Sequence, residues 1–244
     1  MPCRVVKVDP HAPDPAALEE AARVLVGGGL VAFPTETVYG LGANALDPAA
    51  VAKIFAAKGR PATNPLIVHV ATLAEARTLV ADWPEIADRL AARFWPGPLT
   101  LVLPKAPRVP DLVTAGGPTV ALRMPAHPVA LALLRACRVP LAAPSANRST
   151  ALSPTTGEHV LRSLGDDIDM LLDAGSTTGG LESTVLDVTA TPPRLLRPGL
   201  VTRAEFEAVV GPVALSDDDV GDGPARSPGQ MRRHYAPRTP LEIH

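Results

Sequence analysis

The chain has 244 residues, 46% hydrophobic and 20% charged, which is the composition of a globular protein large enough to bury a substantial core. Its formal net charge of -2 excludes a protein whose whole surface grips nucleic acid, and two cysteines, Cys3 and Cys137, exclude both a disulfide framework and a cysteine-rich metal site. No apolar run approaches the roughly 18 residues of a spanning helix, and the N-terminus lacks a signal-peptide pattern, so a cytoplasmic protein without a membrane partner is expected.

Residues 3–8 alternate like a short strand, and Asp14-Pro15 supplies an N-cap and a first-turn proline for a helix ending near Val26. Gly27-Gly28-Gly29 follows that helix and precedes a strand at 30–33. A phosphate-cradling glycine loop has the opposite order, so the triplet reads as a helix stop. No G-x-x-x-x-G-K-[ST] string occurs, which excludes a P-loop. The segment Pro34-Thr35-Glu36-Thr37-Val38-Tyr39-Gly40-Leu41-Gly42 then sets hydroxyls, a carboxylate and a phenol at a strand's carboxyl end. Open α/β sheets bind ligands there, although an ordinary turn would use similar residues.

Asp47-Pro48 caps a helix over 47–57 that runs into Lys58-Gly59-Arg60-Pro61 and Asn64-Pro65-Leu66, ahead of a buried-looking strand at 66–70. Lys58 and Arg60 at this corner serve equally as a cationic helix cap or as an anion grip. His69 is the only polar residue of the strand, which on residue type alone reads as a satisfied core histidine. Thr72 with Glu75 spells a capping box, Trp83-Pro84 begins a helix to Phe94, and Trp95-Pro96-Gly97-Pro98 is a rigid corner into a strand at 99–103. Residues 119–124 alternate with Thr119, Ala121 and Arg123 on one face. His127-Pro128 begins the next helix, and a strand at 139–143 ends in Pro144-Ser145-Ala146-Asn147-Arg148. Ser153-Pro154 opens a helix to Leu164. Strands at 168–172, 183–188 and 194–197 follow, and Thr202 with Glu205 caps the last helix.

Strands alternating with helices argue an α/β fold, and the strand-to-strand steps after Ile168 argue a mixed sheet. No Asp or Glu occurs at 48–74 or 112–157, while Lys53, Lys58, Arg60, Arg123, Arg135, Arg138 and Arg148 do. Folded together, these stretches would form a positive cleft suited to a small anion. Residues 1–211 are expected to form one domain, and residues 212–244 a flexible acidic linker carrying a dense cationic and aromatic strap at 227–237.

Four strings occur in order: Pro34 to Leu41, Lys58-Gly59-Arg60-Pro61 with Asn64-Pro65-Leu66, Ser145-Ala146-Asn147, and Leu196-Arg197-Pro198-Gly199. Together they resemble the YrdC-like threonylcarbamoyl-AMP synthases, whose hallmark is a K-x-R motif paired with S-x-N. The string from Ser227 to Pro237 resembles the strap of the longer members, whose second, Rossmann-like domain is expected to be absent here. The resemblance implies a catalytic domain with a twisted mixed open sheet and helices around a concave positively charged groove, on which the strap folds back. It also implies synthesis of threonylcarbamoyl-AMP and pyrophosphate from L-threonine, bicarbonate and ATP. Mg²⁺ would arrive with ATP, and a downstream threonylcarbamoyl transferase acting on tRNA would consume the product.

By the same resemblance Lys58 and Arg60 are catalytic. Arg60, Asn64, Thr119, Ser145, Asn147, Ser153, Arg197 and Tyr235 contact ATP. Thr37, His69, Arg123, Ala143 and Ser183 contact L-threonine, no protein metal site is implied, and Glu36 has no assigned role. The alternative is an RNA-binding module that uses the same groove without adenylation chemistry. A carbamoyl-transfer domain of hydrogenase maturation would require zinc-finger and acylphosphatase segments that this sequence lacks.

Overall fold

The computed structural model describes residues 2–215 and Ser227. Its strands are β1 (Arg4–Lys7), β2 (Val31–Phe33), β3 (Gly40–Asn44), β4 (Ile67–His69), β5 (Leu99–Pro104), β6 (Thr119–Arg123), β7 (Leu141–Ala142), β8 (Met170–Asp173), β9 (Thr184–Asp187), β10 (Arg194–Arg197) and β11 (Ala214–Leu215). They form one 11-stranded sheet in the order β1-β8-β2-β3-β7-β4-β6-β5-β9-β10-β11. Parallel pairs such as β4 with β6 alternate with antiparallel ones such as β2 with β3, so the expected mixed open sheet is present.

Seven helices among the described residues flank it: α1 (Pro15–Val26), α2 (Pro48–Lys58), α3 (Leu73–Thr78), α4 (Glu85–Phe94), α5 (Pro128–Cys137), α6 (Gly157–Leu164) and α7 (Arg203–Val210). Period-2 alternation divides the core between the two faces of the sheet. Val31 and Phe33 pack with α1 and α5, whereas Leu30 and Ala32 pack in the larger cluster with α2, α4 and α6. Met170 and Leu172 against Leu171, and Leu141 against Ala142, divide the same way.

Beyond α1 and α5, the first face continues as a small cluster of Ile67, Val102, Ala121, Val185 and Leu196 to which no described helix contributes. Here the sheet keeps an uncovered concavity. His69 shares the face of Ile67 on β4, and Arg123 shares that of Ala121 on β6.

Most helix starts follow the sequence signals. Asp14 and Asp47 accept from Ala16 N and Ala49 N at 3.0 and 2.9 Å, each followed by proline at the first helical position. Thr202 and Glu205 make the full capping box. Three expectations require correction. The helix expected from Ser153-Pro154 begins at Gly157, capped by Thr156, because Pro154 O instead accepts from Tyr39 N and Ser153 Oγ is drawn to Glu182. The box at Thr72 is half formed, since Glu75 reaches past it to Ala71 N. Gly40 and Gly42 are strand residues rather than loop: β3 pairs with β2, and a Cβ on Gly42 would come within 2.8 Å of Phe33. The linker from residue 216, and the strap with Tyr235, lie outside the described residues apart from Ser227, which is fully buried.

Candidate active site

The K-x-R corner is shaped by Gly59, which ends α2 in the left-handed region at φ 58°, ψ 36°. Arg60 N then returns to Phe55 O at 3.0 Å, and both cations turn inward. Lys58, 2% exposed, donates from Nζ to the backbone carbonyls of Ser145 and Asn147. The helix-cap reading of Lys58 is therefore wrong: its ammonium ties α2 to the S-x-N loop. Burial, reinforced by the charge of Arg60 and opposed by Glu182, lowers the Lys58 pKa to about 7.

Arg60 donates through Nε to Asn64 O at 3.1 Å and through Nη2 to Asn64 Oδ1 and Pro65 O at 2.6 and 2.7 Å. No described residue accepts from Nη1, on a side chain that lines the cavity. Burial lowers its pKa to about 10, with Glu182 opposing and Arg197 adding to the shift, so it stays a cation at neutral pH.

The S-x-N loop is registered on β3 by a bridge between Gly40 and Ser145 and by Ala146 N donating to Tyr39 O at 2.8 Å. Ser145 lines the cavity. Asn147 does not: its amide donates to Arg148 O and Ala151 O at 2.8 Å and builds its own loop. Thr119 also lies off the cavity, at the start of β6.

Thr37, His69, Arg123, Ala143 and Ser183 line one narrow cavity with Arg60, Ser145 and Arg197. Arg123 is oriented by three contacts: Nη1 donates to Thr37 Oγ1 at 3.0 Å, Nε donates to Gly97 O at 3.3 Å, and Nη2 meets Glu36 as an ion pair at 2.6 Å. Thr35 Oγ1 donates to Val38 O, so in the Thr35–Thr37 hydroxyl pair Thr37 donates, and its lone pairs face Arg123. His69 stacks edge-on to Phe33 with centroids 6.4 Å apart, and its buried Nδ1 has no hydrogen-bond partner among the described residues. Burial and then Arg123 lower its pKa to about 3, so the ring is neutral.

A wider cleft of about 730 Å³ adjoins the narrow cavity, with Glu182 and Arg197 walls of both. That volume lies in the range of small-molecule sites. Ser153 lines the cleft and donates from Oγ to Glu182 Oε1 at 2.8 Å. Arg197 is turned in by a register shift between Leu195 and Arg197. Its Nε donates to Ser183 O and its Nη2 to Ser183 Oγ, both at 3.0 Å, while Nη1 pairs with Glu182. Gly199 permits this crowding, since a Cβ there would lie 2.5 Å from Glu182 O and Thr184 N.

Glu182, the Thr35 hydroxyl, and the Thr100 hydroxyl that pairs with Ser183 Oγ at 2.8 Å escaped sequence reasoning. Glu182 is a single acid before a strand, outside the cationic stretches, and nothing in its neighbours announces that three of the expected ligand residues gather round it. Glu36, undecided from sequence, is the counter-charge of Arg123.

Fold and site together define an open-sheet α/β protein with a cationic, mostly buried cavity on the uncovered part of one sheet face. The Sua5/YciO/YrdC family model, described as telomere recombination, matches residues 23–199. The threonylcarbamoyl-AMP synthase of Pyrococcus abyssi is 52% identical over 219 residues, 89% of this chain and 64% of that protein. That of Bacillus subtilis is 51% identical over 229 residues, 93% of this chain and 66% of that protein. The crystal structure of Pyrococcus abyssi Sua5 complexed with L-threonine superposes with a TM-score of 0.93 at 49% identity, covering 96% of this chain and 69% of that one. The chain belongs to the Sua5/YciO/YrdC family. It spans just under two thirds of the length of these two curated relatives.

Proposed function

We propose that the chain makes threonylcarbamoyl-AMP, as the names of its relatives state for them. The observation that carries this reading is the convergence of Thr37, His69, Arg123, Ala143 and Ser183 in one cavity beside Arg60 and Arg197. The high similarity to a protein crystallised with L-threonine supports it.

The reaction has two steps. The threonine ammonium gives up one proton, the free amine adds to the carbon of bicarbonate, and water leaves to give a carbamate. A carbamate oxygen then attacks the α-phosphorus of ATP as the bond to pyrophosphate breaks. An anionic nucleophile attacking an anionic centre needs positioning and charge neutralisation more than a strong base. Arg123, held from three sides, receives the threonine carboxylate, and Thr37 and Ser183 set its orientation. Neutral His69 offers its unpartnered Nδ1 to the substrate's polar groups. Arg60 reaches the phosphates through Nη1, held by Asn64, while Arg197, Ser145 and Ser153 line the path of the nucleotide. Lys58 acts chiefly by fixing the S-x-N loop, with Asn147 bracing that loop from within.

Mg²⁺ fits as the companion of the triphosphate. No group of three metal-ligating side chains occurs among the described residues. Glu182, the carboxylate in the walls, is engaged by Arg197 and Ser153, so phosphate and water oxygens would supply the shell. When bound, the ion neutralises charge on the departing pyrophosphate. The product is a mixed carbamic–phosphoric anhydride, which a transferase acting on tRNA adenosine would consume. No described helix is long and apolar enough to cross a membrane.

Pyrophosphate release from ATP is the direct test. Release that requires both L-threonine and bicarbonate is expected, and release indifferent to either would remove the synthase reading.

A further inference from the structure

Glu36 pairs with Arg123 from outside the cavity. Thr35 and Thr37 on either side of it line the cavity, whereas Glu36 does not. Its Oε1 lies 2.6 Å from Arg123 Nη2, on a side chain that is 16% exposed. Both carboxylate oxygens and Nη2 are buried, and the contact is an ion pair without an aligned hydrogen bond. Such a pair contributes little to stability, because desolvation of two ions offsets their attraction.

The backbone nevertheless locks Glu36 in place. Its carbonyl accepts from Gly179 N at 2.9 Å and from Thr178 Oγ1 at 3.2 Å, and Gly180 N donates to Thr37 O at 3.0 Å. Glu182, the partner of Arg197, differs in being a wall of both cavity and cleft, where a ligand can reach it. His127 also feels Glu36. Burial lowers its pKa, with Glu36 opposing and His11 adding to the shift, so at neutral pH it brings no charge to the pair.

This arrangement separates two kinds of anion. The cavity holds Arg60, Arg123 and Arg197, so a phosphate would find three guanidiniums there. Behind Arg123, the fixed charge of Glu36 balances that of the arginine. A zwitterionic amino acid can still use the guanidinium fork, because its own ammonium compensates its carboxylate. A phosphate dianion would leave two negative charges uncompensated in a buried site.

We propose that Glu36, a positioning residue that touches no substrate, reserves Arg123 for the carboxylate of an amino acid and keeps phosphate from that end of the cavity. This rests on the reading of the cavity as the threonine site.

The test is titration calorimetry of the full chain with L-threonine and inorganic phosphate, which needs no turnover. In the wild type, phosphate should not compete with L-threonine. Glu36→Gln keeps the shape and an acceptor for Nη2 but removes the charge. Phosphate should then compete with L-threonine, its affinity for this pocket rising at least about tenfold for the one charge removed. Glu36→Asp keeps the charge and should keep phosphate from competing. Adding Arg123→Gln to Glu36→Gln should abolish the gained phosphate site, and thermal melts check the fold of each variant. An unchanged phosphate affinity in Glu36→Gln, or a gain that survives Arg123→Gln, would overturn the role given to Glu36. So would competition by phosphate in the wild type, an outcome that depends on no variant. If the wild type binds no L-threonine, the reading of the cavity fails instead. The Arg123-dependent gain of phosphate binding in Glu36→Gln still decides what Glu36 does.

Discussion

Lys58 Nζ donates to the backbone carbonyl of Ser145, joining residues 87 apart in sequence, and a second bond to Asn147 O makes the tie bidentate. The two hallmark motifs of the sequence are thus one structural unit. Lys58→Met removes both donors; Ser145 O keeps its bond from Asn147 N at 3.0 Å, but the buried Asn147 carbonyl is left unsatisfied, at about 1–3 kcal/mol. Urea unfolding should show a loss in that range or above, and pyrophosphate release should fall with it. Lys58→Arg should not rescue, since the larger planar group does not fit a side chain that is 2% exposed. Full activity in either variant would refute the tie.

Arg60 differs from what its place at a corner suggests. A cation there is expected to be dispensable to the fold, yet it is 9% exposed and makes three bonds to the Asn64-Pro65 turn. Arg60→Ala should therefore cost about 2–4 kcal/mol, while the large core keeps unfolding cooperative. ATP binding by calorimetry should weaken at least tenfold, because Nη1 is the donor left for phosphate. Asn64→Ala should reproduce part of the ATP defect, because it frees the guanidinium to turn away from the phosphates.

His69 makes stability depend on pH in a defined window. Its folded pKa is about 3 against an ordinary 6.5, so between these values the unfolded chain binds a proton that the folded one refuses. Stability falls as pH drops from 6.5 toward 3, by up to about 1.4 kcal/mol per pH unit from this group alone. A folded His69→Gln variant should show a flatter profile over that range in denaturant titrations. Parallel profiles would mean that the ring is solvated or protonated in the native state.

Gly59 offers a test of backbone alone. It sits at φ 58°, and a Cβ added there would meet nothing within 4 Å, so Gly59→Ala brings strain without a clash. The expected loss is about 1 kcal/mol, and Gly59→Asn should lose less, since asparagine tolerates this region. A loss of several kcal/mol in thermal melts would point to a steric role that the open surroundings do not provide.

Much of the frame was legible in the sequence because its signals are local. Asp14-Pro15, Asp47-Pro48 and the Thr202–Glu205 box each name a helix start through side chains that satisfy nearby backbone donors. The residues of the cavity were legible through motif order, not residue type, and His69 shows the difference: chemistry alone reads it as core. What stayed hidden depends on distant partners. Ser153-Pro154 is a sound local helix start that loses to Tyr39 N and Glu182, from 115 and 29 residues away in sequence. Arg135 and Arg138 share a charge pattern with Arg123, yet the turn of α5 carries them to another groove.

Glu182 is the residue on which the site's electrostatics turn. Its carboxylate pairs with Arg197, accepts from Ser153 Oγ, and favours the charged forms of Lys58 and Arg60. It thus occupies cations that triphosphate would otherwise neutralise. Glu182→Gln preserves shape and can still accept from Ser153, but it gives Arg197 back its unscreened charge. ATP affinity measured without Mg²⁺ should rise several-fold, because the nucleotide no longer displaces an internal anion. The same substitution should lower the Lys58 pKa further and move any Lys58-dependent step to lower pH. If ATP instead binds more weakly in Glu182→Gln, the carboxylate supports the nucleotide directly and the competition argument fails.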